Sequence, residues 1–244
     1  MSSRIKAFLI HGMVSIIIAI LIVGLVFFIW YPFPLAKAVG ATHIFSIILM
    51  VDVVLGPLLT LLVYKAGKKS LFFDLVVVVL LQISALFYGV WTISQGRPAW
   101  IVFNADRFDA VRVNDLDLRN ANKVKPEYLN PSLLFPSWVS AVSPTNTEDK
   151  NKILFEAVFS GVDIAQRPAL YHPLSFEEKR IKLKAIDLNE LYKFNNKNKV
   201  QNIIEQYGGA NAYLPLRANA VDMTVLINKD TAEIIKIVDL RPWK

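Results

Sequence analysis

The sequence predicts a membrane protein built of three transmembrane α-helices in residues 1–95, followed in residues 96–244 by a soluble α+β domain with a small antiparallel sheet. Three observations carry that expectation. The mean hydropathy of +0.41 is high for an ordinary soluble chain. The charge is unevenly spread, with eight charged side chains in residues 1–94 and thirty-nine in the remainder. The first part also holds three long apolar runs, each close to the roughly twenty residues an α-helix needs to cross about 30 Å of hydrocarbon.

The first run, Ala7–Trp30, follows the basic residues Arg4 and Lys6. A signal peptide opens in the same way, and Ala36-Lys37-Ala38 supplies an A-x-A triplet. This run is nevertheless well beyond the apolar core of about 7–15 residues typical of signal peptides, and two more runs follow, so it reads as a retained helix. Trp30, Tyr31 and Phe33 form an aromatic edge at its far end, where amphipathic rings favour the headgroup level. The prolines and glycine of Tyr31–Gly40 then turn the chain back.

The second run, Ile44–Tyr64, carries Asp52 near its middle and the pair Gly56-Pro57 one turn later. A carboxylate at that depth is costly unless it faces protein, water or a polar partner, so Asp52 marks the inward side of a bundle. Pro57 has no N–H to donate and clashes with the carbonyl four residues back, which predicts a kink. The third run, Leu71–Ile93, places Gln82 at a depth similar to Asp52 in an antiparallel pair, within hydrogen-bonding reach. His11 and Asp74 lie toward the ends of the first and third runs. Ser15 and Ala19 make a small-xxx-small pair that lets another helix approach closely.

Arg4, Lys6 and the loop Lys65-Ala66-Gly67-Lys68-Lys69 are basic, against a single Lys37 in the intervening loop. The positive-inside rule makes the N-terminus and the Lys65–Lys69 loop cytoplasmic. Three crossings then put everything after Gln95 on the opposite side, the periplasm of a Gram-negative cell.

In the outer part, Gly96 and Pro98 end the third helix, and Trp100–Phe103 and Ala110–Val113 have strand composition. Four prolines between Pro126 and Pro144 predict a loop-rich stretch. Thr147 opens a helix that stops at Gly161. Ser175-Phe176-Glu177-Glu178 resembles a capping box leading a helix to about Leu191, and a shorter helix spans about Lys199–Tyr207 before Gly208-Gly209. Asp222–Asn228 and Ala232–Asp239, around Lys229-Asp230-Thr231, read as a β-hairpin.

Several function classes are disfavoured. The net charge of +7 divides as +4 in residues 1–94 and +3 in the rest, where basic residues are interspersed with acids, so no nucleic acid partner is expected. The chain has no cysteine and therefore neither disulfides nor thiolate metal sites. The Lys65–Ser70 stretch lacks the first glycine of a phosphate loop, and Lys69 separates Lys68 from Ser70. Asp115-Leu116-Asp117 resembles the D-x-D by which some glycosyltransferases hold a metal and nucleotide. On a strand both carboxylates would share a face, leaving a membrane-anchored enzyme modifying glycan or lipid as one alternative. His172 lies in an apparent loop with no G-x-S-x-G elbow in the chain. A periplasmic sensor is the other alternative, with little cytoplasmic chain available for signalling. No catalytic residue, cofactor or metal is expected.

Taken together, Tyr31-Pro32, Pro34-Leu35, Val51-Asp52-Val53-Val54-Leu55-Gly56-Pro57-Leu58-Leu59-Thr60, Lys68, Asp74, Gln82, Gly96-Arg97-Pro98-Ala99-Trp100 and Phe103-Asn104-Ala105-Asp106-Arg107-Phe108 resemble the type IV pilin accessory proteins of the TfpX/TfpZ family. The likeness is densest from Tyr31 to Asp109. It extends more weakly through Asp163–Pro168 and Asp239–Trp243, while Asn114–Asn146 lies outside it. The resemblance implies an inner-membrane protein with a periplasmic domain, a chaperone that assists a cognate major pilin in pilus biogenesis and thereby twitching motility or DNA uptake. The implied partners are that pilin, other pilus assembly proteins and the lipid bilayer. Asp52, Gly56, Pro57, Gln82, Asp74, Arg97, Asp106 and Arg107 are the candidates for helix packing or partner contact.

Overall fold

The computed structural model describes residues 1–243, which fall into two compact units. One comprises Met1–Ile29 and Ala41–Gly96. The other comprises Trp30–Gly40 and the chain from Arg97 onward. The loop joining the first two apolar runs therefore groups with the second unit.

The first unit consists of α1 (Ser3–Trp30), α2 (Ala41–Val63) and α3 (Leu71–Gly96), three helices long and apolar enough to cross a membrane. The Ser2 hydroxyl caps α1 by accepting from the Ile5 N–H. Large side chains such as Leu21, Leu62 and Phe72 point outward, an apolar exterior that suits lipid and not water. In the regular part of α1 the buried residues are Ser15 and Ala19, the small pair expected to permit close approach. The break expected at Gly56-Pro57 takes the form of a wide turn. Over Val51–Leu55 the helix is underwound, and the Gly56 N–H reaches the Val51 carbonyl five residues back. Pro57 can give no such bond, and the wide turn just before it absorbs the mismatch between its ring and the preceding carbonyls.

The second unit is organised on one eight-stranded mixed sheet, curled into a half-barrel, and not on a small antiparallel one. Its strands are β1 (Pro98–Asn104), β2 (Arg107–Arg112), β3 (Ser137–Ala141), β4 (Tyr171–Pro173), β5 (Ile186–Asp187), β6 (Ala212–Arg217), β7 (Met223–Asn228) and β8 (Glu233–Val238). The order is β4-β3-β1-β2-β6-β7-β8, with β5 pairing β6. The pairs β1/β3 and β2/β6 are parallel and the others antiparallel. The expected hairpin is β7/β8. A second hairpin, β1/β2, turns at Ala105 and Asp106, with Ala105 at φ 61°.

Four strands, β3, β4, β5 and β6, were not expected from the sequence. β3 lies inside the proline-rich stretch read as loop, and its five residues sit between β1 and β4. β6 contains Pro215, which argues against a central strand. Pro215 falls between the stretch paired with β5, at Ala212 and Tyr213, and the stretch paired with β2, at Leu216 and Arg217.

The helix α4 (Thr147–Ser160) forms as expected, capped by Asn146 and closed by Gly161 at φ 69°. The helix expected from Ser175 to Leu191 does not form as one piece. A 3-10 turn over Leu174–Glu177 leads into α5 (Glu178–Lys184), after which the chain extends as β5. The Asp187 side chain accepts from the Asn189 N–H and starts a separate 3-10 segment, a local bond that competes with helix continuation. The last helix, α6 (Lys197–Gln206), is capped by Asn196.

Aromatic rings fill one core: Trp100, Tyr128 and Tyr171 meet edge to face with centroids 5.6–5.9 Å apart. A second core packs Leu191, Val200, Tyr213, Leu226 and Leu240 between α6 and the sheet. The Trp30–Gly40 loop is bound to this unit by several groups. The Trp30 Nε1–H donates to the Leu133 carbonyl at 2.9 Å, and Lys37 pairs with Asp239 at 2.7 Å. The N–H groups of Ala220 and Val221 both donate to the Ala38 carbonyl.

Candidate functional site

In the first unit, three helices bring five polar residues together. Gln82 on α3 stands at the centre. Its Nε2 donates to the Ser15 hydroxyl at 3.0 Å and to the backbone carbonyl of Asp52 at 2.9 Å. With both amide hydrogens committed, its oxygen accepts, so the His11 Nε2–H donates to Oε1 at 2.6 Å. The other ring nitrogen, Nδ1, then accepts from the Thr60 hydroxyl, also at 2.6 Å. Gly56 makes room for this arrangement: a Cβ there would lie 2.3 Å from Gln82 Oε1. Gly89 likewise admits Ile48, whose Cγ2 would be 2.9 Å from an added Cβ.

The sequence comparison of depths thus finds the right pair by the wrong atoms. Gln82 binds the main chain of Asp52, whereas the buried carboxylate oxygen Oδ1 of Asp52 has no hydrogen-bond partner among the described residues. Asp52 also lines a groove of about 300 Å³ between α1 and α3. Asp52, Gly56, Pro57 and Gln82 are brought together, with Pro57 against Gly12 of α1. Asp74 is not among them; it pairs with Lys68 at 2.5 Å and accepts from Ser70. His11 and Thr60 were missed as members. The depth comparison applied to Asp52 and Gln82 would have matched them too, since α1 runs antiparallel to the second half of α2.

The remaining candidates belong to the second unit. Arg97 is buried, with Nη2 donating to the Ser132 carbonyl at 3.1 Å, and burial holds its pKa below the usual arginine value. Asp106 occupies the β1/β2 turn. Arg107 reaches Asp109. Asp109 is buried and receives Arg217 Nε at 2.5 Å, Arg107 Nε at 3.4 Å and Asn104 Nδ2 at 3.2 Å. Burial pushes its carboxyl up, while both guanidinium groups and the amide pull it back. Arg217 also bonds Asp163 at 3.3 Å, so segments far apart in the chain share one ionic cluster.

Asp115 and Asp117 do not share a strand face. Asp115 closes a 3-10 turn after β2, and both its oxygens are taken by Arg112 at 2.8 Å. Asp117 is held in the same bidentate way by Arg119 and is approached by Arg167 at 3.3 Å, which keeps its carboxyl below the usual range. Glu156 on α4 joins Arg119 and Arg167. His172 lies in β4 and not in a loop, with its ring stacked on Phe176 at 4.7 Å. On α4, Leu154, Phe155, Val158 and Phe159 are exposed.

The family described as "Fimbrial assembly protein FimB" matches residues 1–40. Three similar proteins come from Dichelobacter nodosus. The fimbrial assembly protein of serogroup I is 31% identical over 230 residues, 91% of this chain and 89% of the relative. The serogroup E1 protein is 30% identical over the same shares. The protein of serogroups C1 and C2 is 37% identical over 109 residues, 44% of this chain and 83% of its own length. No solved structure matches the chain significantly. Similarity at this level runs through both units, from the helices that carry the Gln82 cluster to the sheet, and the chain belongs to the FimB family of fimbrial assembly proteins.

Proposed function

We propose that this protein is a non-enzymatic accessory of type IV pilus biogenesis, a multi-pass inner-membrane chaperone that assists a cognate major pilin. The observation that carries the reading is the alignment with fimbrial assembly proteins over nine-tenths of both chains, helices and sheet alike. That extent supports a shared role in pilus biogenesis for the whole molecule. The narrower resemblance to the TfpX/TfpZ accessory proteins supports pilin as the client. The three apolar helices and the basic residues at Arg4, Lys6 and Lys65–Lys69 support a cytoplasmic N-terminus and a periplasmic sheet domain. The pairing of Asp115 and Asp117 with arginines speaks against an open metal and nucleotide site.

Deletion of the gene, followed by electron microscopy of surface pili and immunoblotting of pilin, tests the proposal. The expected result is a cell with few or no surface pili, restored by the wild-type gene. The Asp115→Ala/Asp117→Ala double variant should restore piliation equally well. Normal piliation in the deletion strain would overturn the accessory role. A folded double variant that fails to complement would favour the enzyme.

A further inference from the structure

Among the described residues, Asp52 Oδ1 is the one buried side-chain polar atom of the helix unit without a hydrogen-bond partner. His11, Ser15, Thr60 and Gln82 close a network that includes the backbone carbonyl of Asp52, yet the carboxylate takes no part in it. Asp52 is 5% exposed, and its buried Oδ1 has no donor. Leaving such a group unpaired in an apolar bundle is costly, so a donor from outside the described chain has a strong energetic reason to bind. Asp52 borders a groove in the helix unit. Between α1 and α3 runs the groove of about 300 Å³, walled by side chains such as Val14, Ile18 and Leu86, with Asp52 on its floor.

We propose that this groove is the seat of an apolar helix of the client pilin, which sets a hydrogen-bond donor against the Asp52 carboxylate. The proposal rests on the accessory role above and adds the site and the chemistry of recognition. Size decides how the occupant fits. One turn of an α-helix, about 10 Å across and 5.4 Å long, displaces about 400 Å³. The groove therefore admits the side chains of a helix lying along it and not the helix itself. Ser15 and Ala19 on one wall are small, which lets the visiting backbone come close. A lipid chain could fill the apolar walls but brings no donor to the carboxylate. The complementary occupant is a helix, apolar overall, with a hydroxyl, amide or amine at the level of Asp52.

Site-specific photocrosslinking in membranes of the pilin-producing host tests this. A benzoylphenylalanine at position 18 reports the groove, and one at position 20, outside it, serves as control. The expected adduct at position 18 is the apolar segment of pilin, identified by mass spectrometry. Its yield should fall about tenfold in the Asp52→Leu chain, the effect of losing one hydrogen bond to a charged group, and persist in Asp52→Asn, which still bonds. Thermal melting of both variants in detergent checks folding, and if Asp52→Leu fails to fold, Asp52→Ala replaces it. Adducts only with lipid or with a second copy, or a yield indifferent to both substitutions, would overturn the proposal. Should those results accompany lost piliation in the deletion strain, the accessory role stands and the groove assignment falls.

Discussion

Replacing Gly56 by leucine destabilises the helix unit by about 3 kcal/mol, and removing Gln82 from the same chain returns about half of that loss. An added Cβ at Gly56 would sit 2.3 Å from Gln82 Oε1, 2.5 Å from Cδ and 2.7 Å from Nε2. The end of a glutamine is ordinarily easy to displace. Here it is fixed by His11, Ser15 and the Asp52 carbonyl, so moving it breaks three hydrogen bonds at once. In membrane proteins such bonds average about 0.6 kcal/mol each, and overpacking adds about 1–3 kcal/mol. Gln82→Ala removes the obstacle but by itself forfeits the three bonds, about 1.8 kcal/mol, so the two substitutions must be non-additive by about 3 kcal/mol. Unfolding of the four chains of the cycle in detergent micelles measures this directly. Costs that simply add would show that Gly56 and Gln82 do not share the contact.

Arg217→Leu lowers the stability of the sheet domain by about 3 kcal/mol, although its side chain is 42% exposed. A surface arginine usually contributes within about 0.5 kcal/mol. The difference comes from its partner. Asp109 is 3% exposed, and without Arg217 it keeps, among the described residues, the Arg107 contact at 3.4 Å and the Asn104 amide at 3.2 Å. Most of the loss is the cost of a buried charge left short of compensation, so neutralising it helps. The double variant Arg217→Leu/Asp109→Asn should recover about half of the stability. Denaturant unfolding of the full chain, followed by the fluorescence of Trp100 and Trp138 in the sheet, reads both values. A small effect of Arg217→Leu, or no recovery in the double variant, contradicts this description of the cluster.

The helix unit was largely legible in the sequence because lipid imposes length and apolarity, and a polar residue inside such a run stands out. Asp52 and Gln82 were visible for that reason, and Gly56 and Pro57 as helix breakers. His11 and Thr60 were less so: they lie nearer the helix ends, where polar residues are common, and only the antiparallel pairing of α1 with α2 makes them neighbours. The sheet was harder to read. Five of its strands have five or six residues, and two have two or three. β3 is bracketed by prolines and β6 contains one, so both gave loop signals overridden by tertiary pairing. The parallel pairings β1/β3 and β2/β6 join strands distant in sequence, and no local pattern announces them. The same distance hid the cluster of Asp109, Arg217 and Asp163. Asp115 and Asp117 misled in the opposite direction, since a triplet of that form suggests a cation site until the arginines that occupy it are seen.

The proposed topology puts the Lys65–Lys69 loop and the β7/β8 hairpin on opposite faces of the inner membrane. These 244 residues contain no cysteine, so single cysteines report each face without background from them. Ala66→Cys marks the loop and Lys229→Cys marks the hairpin, both at exposed positions. In cells with a permeabilised outer membrane, a membrane-impermeant maleimide should label Lys229→Cys at once and Ala66→Cys only after lysis. Labelling of Ala66→Cys in intact cells, with Lys229→Cys protected, would contradict a periplasmic sheet domain and with it the chaperone role on the pilin's side of the membrane.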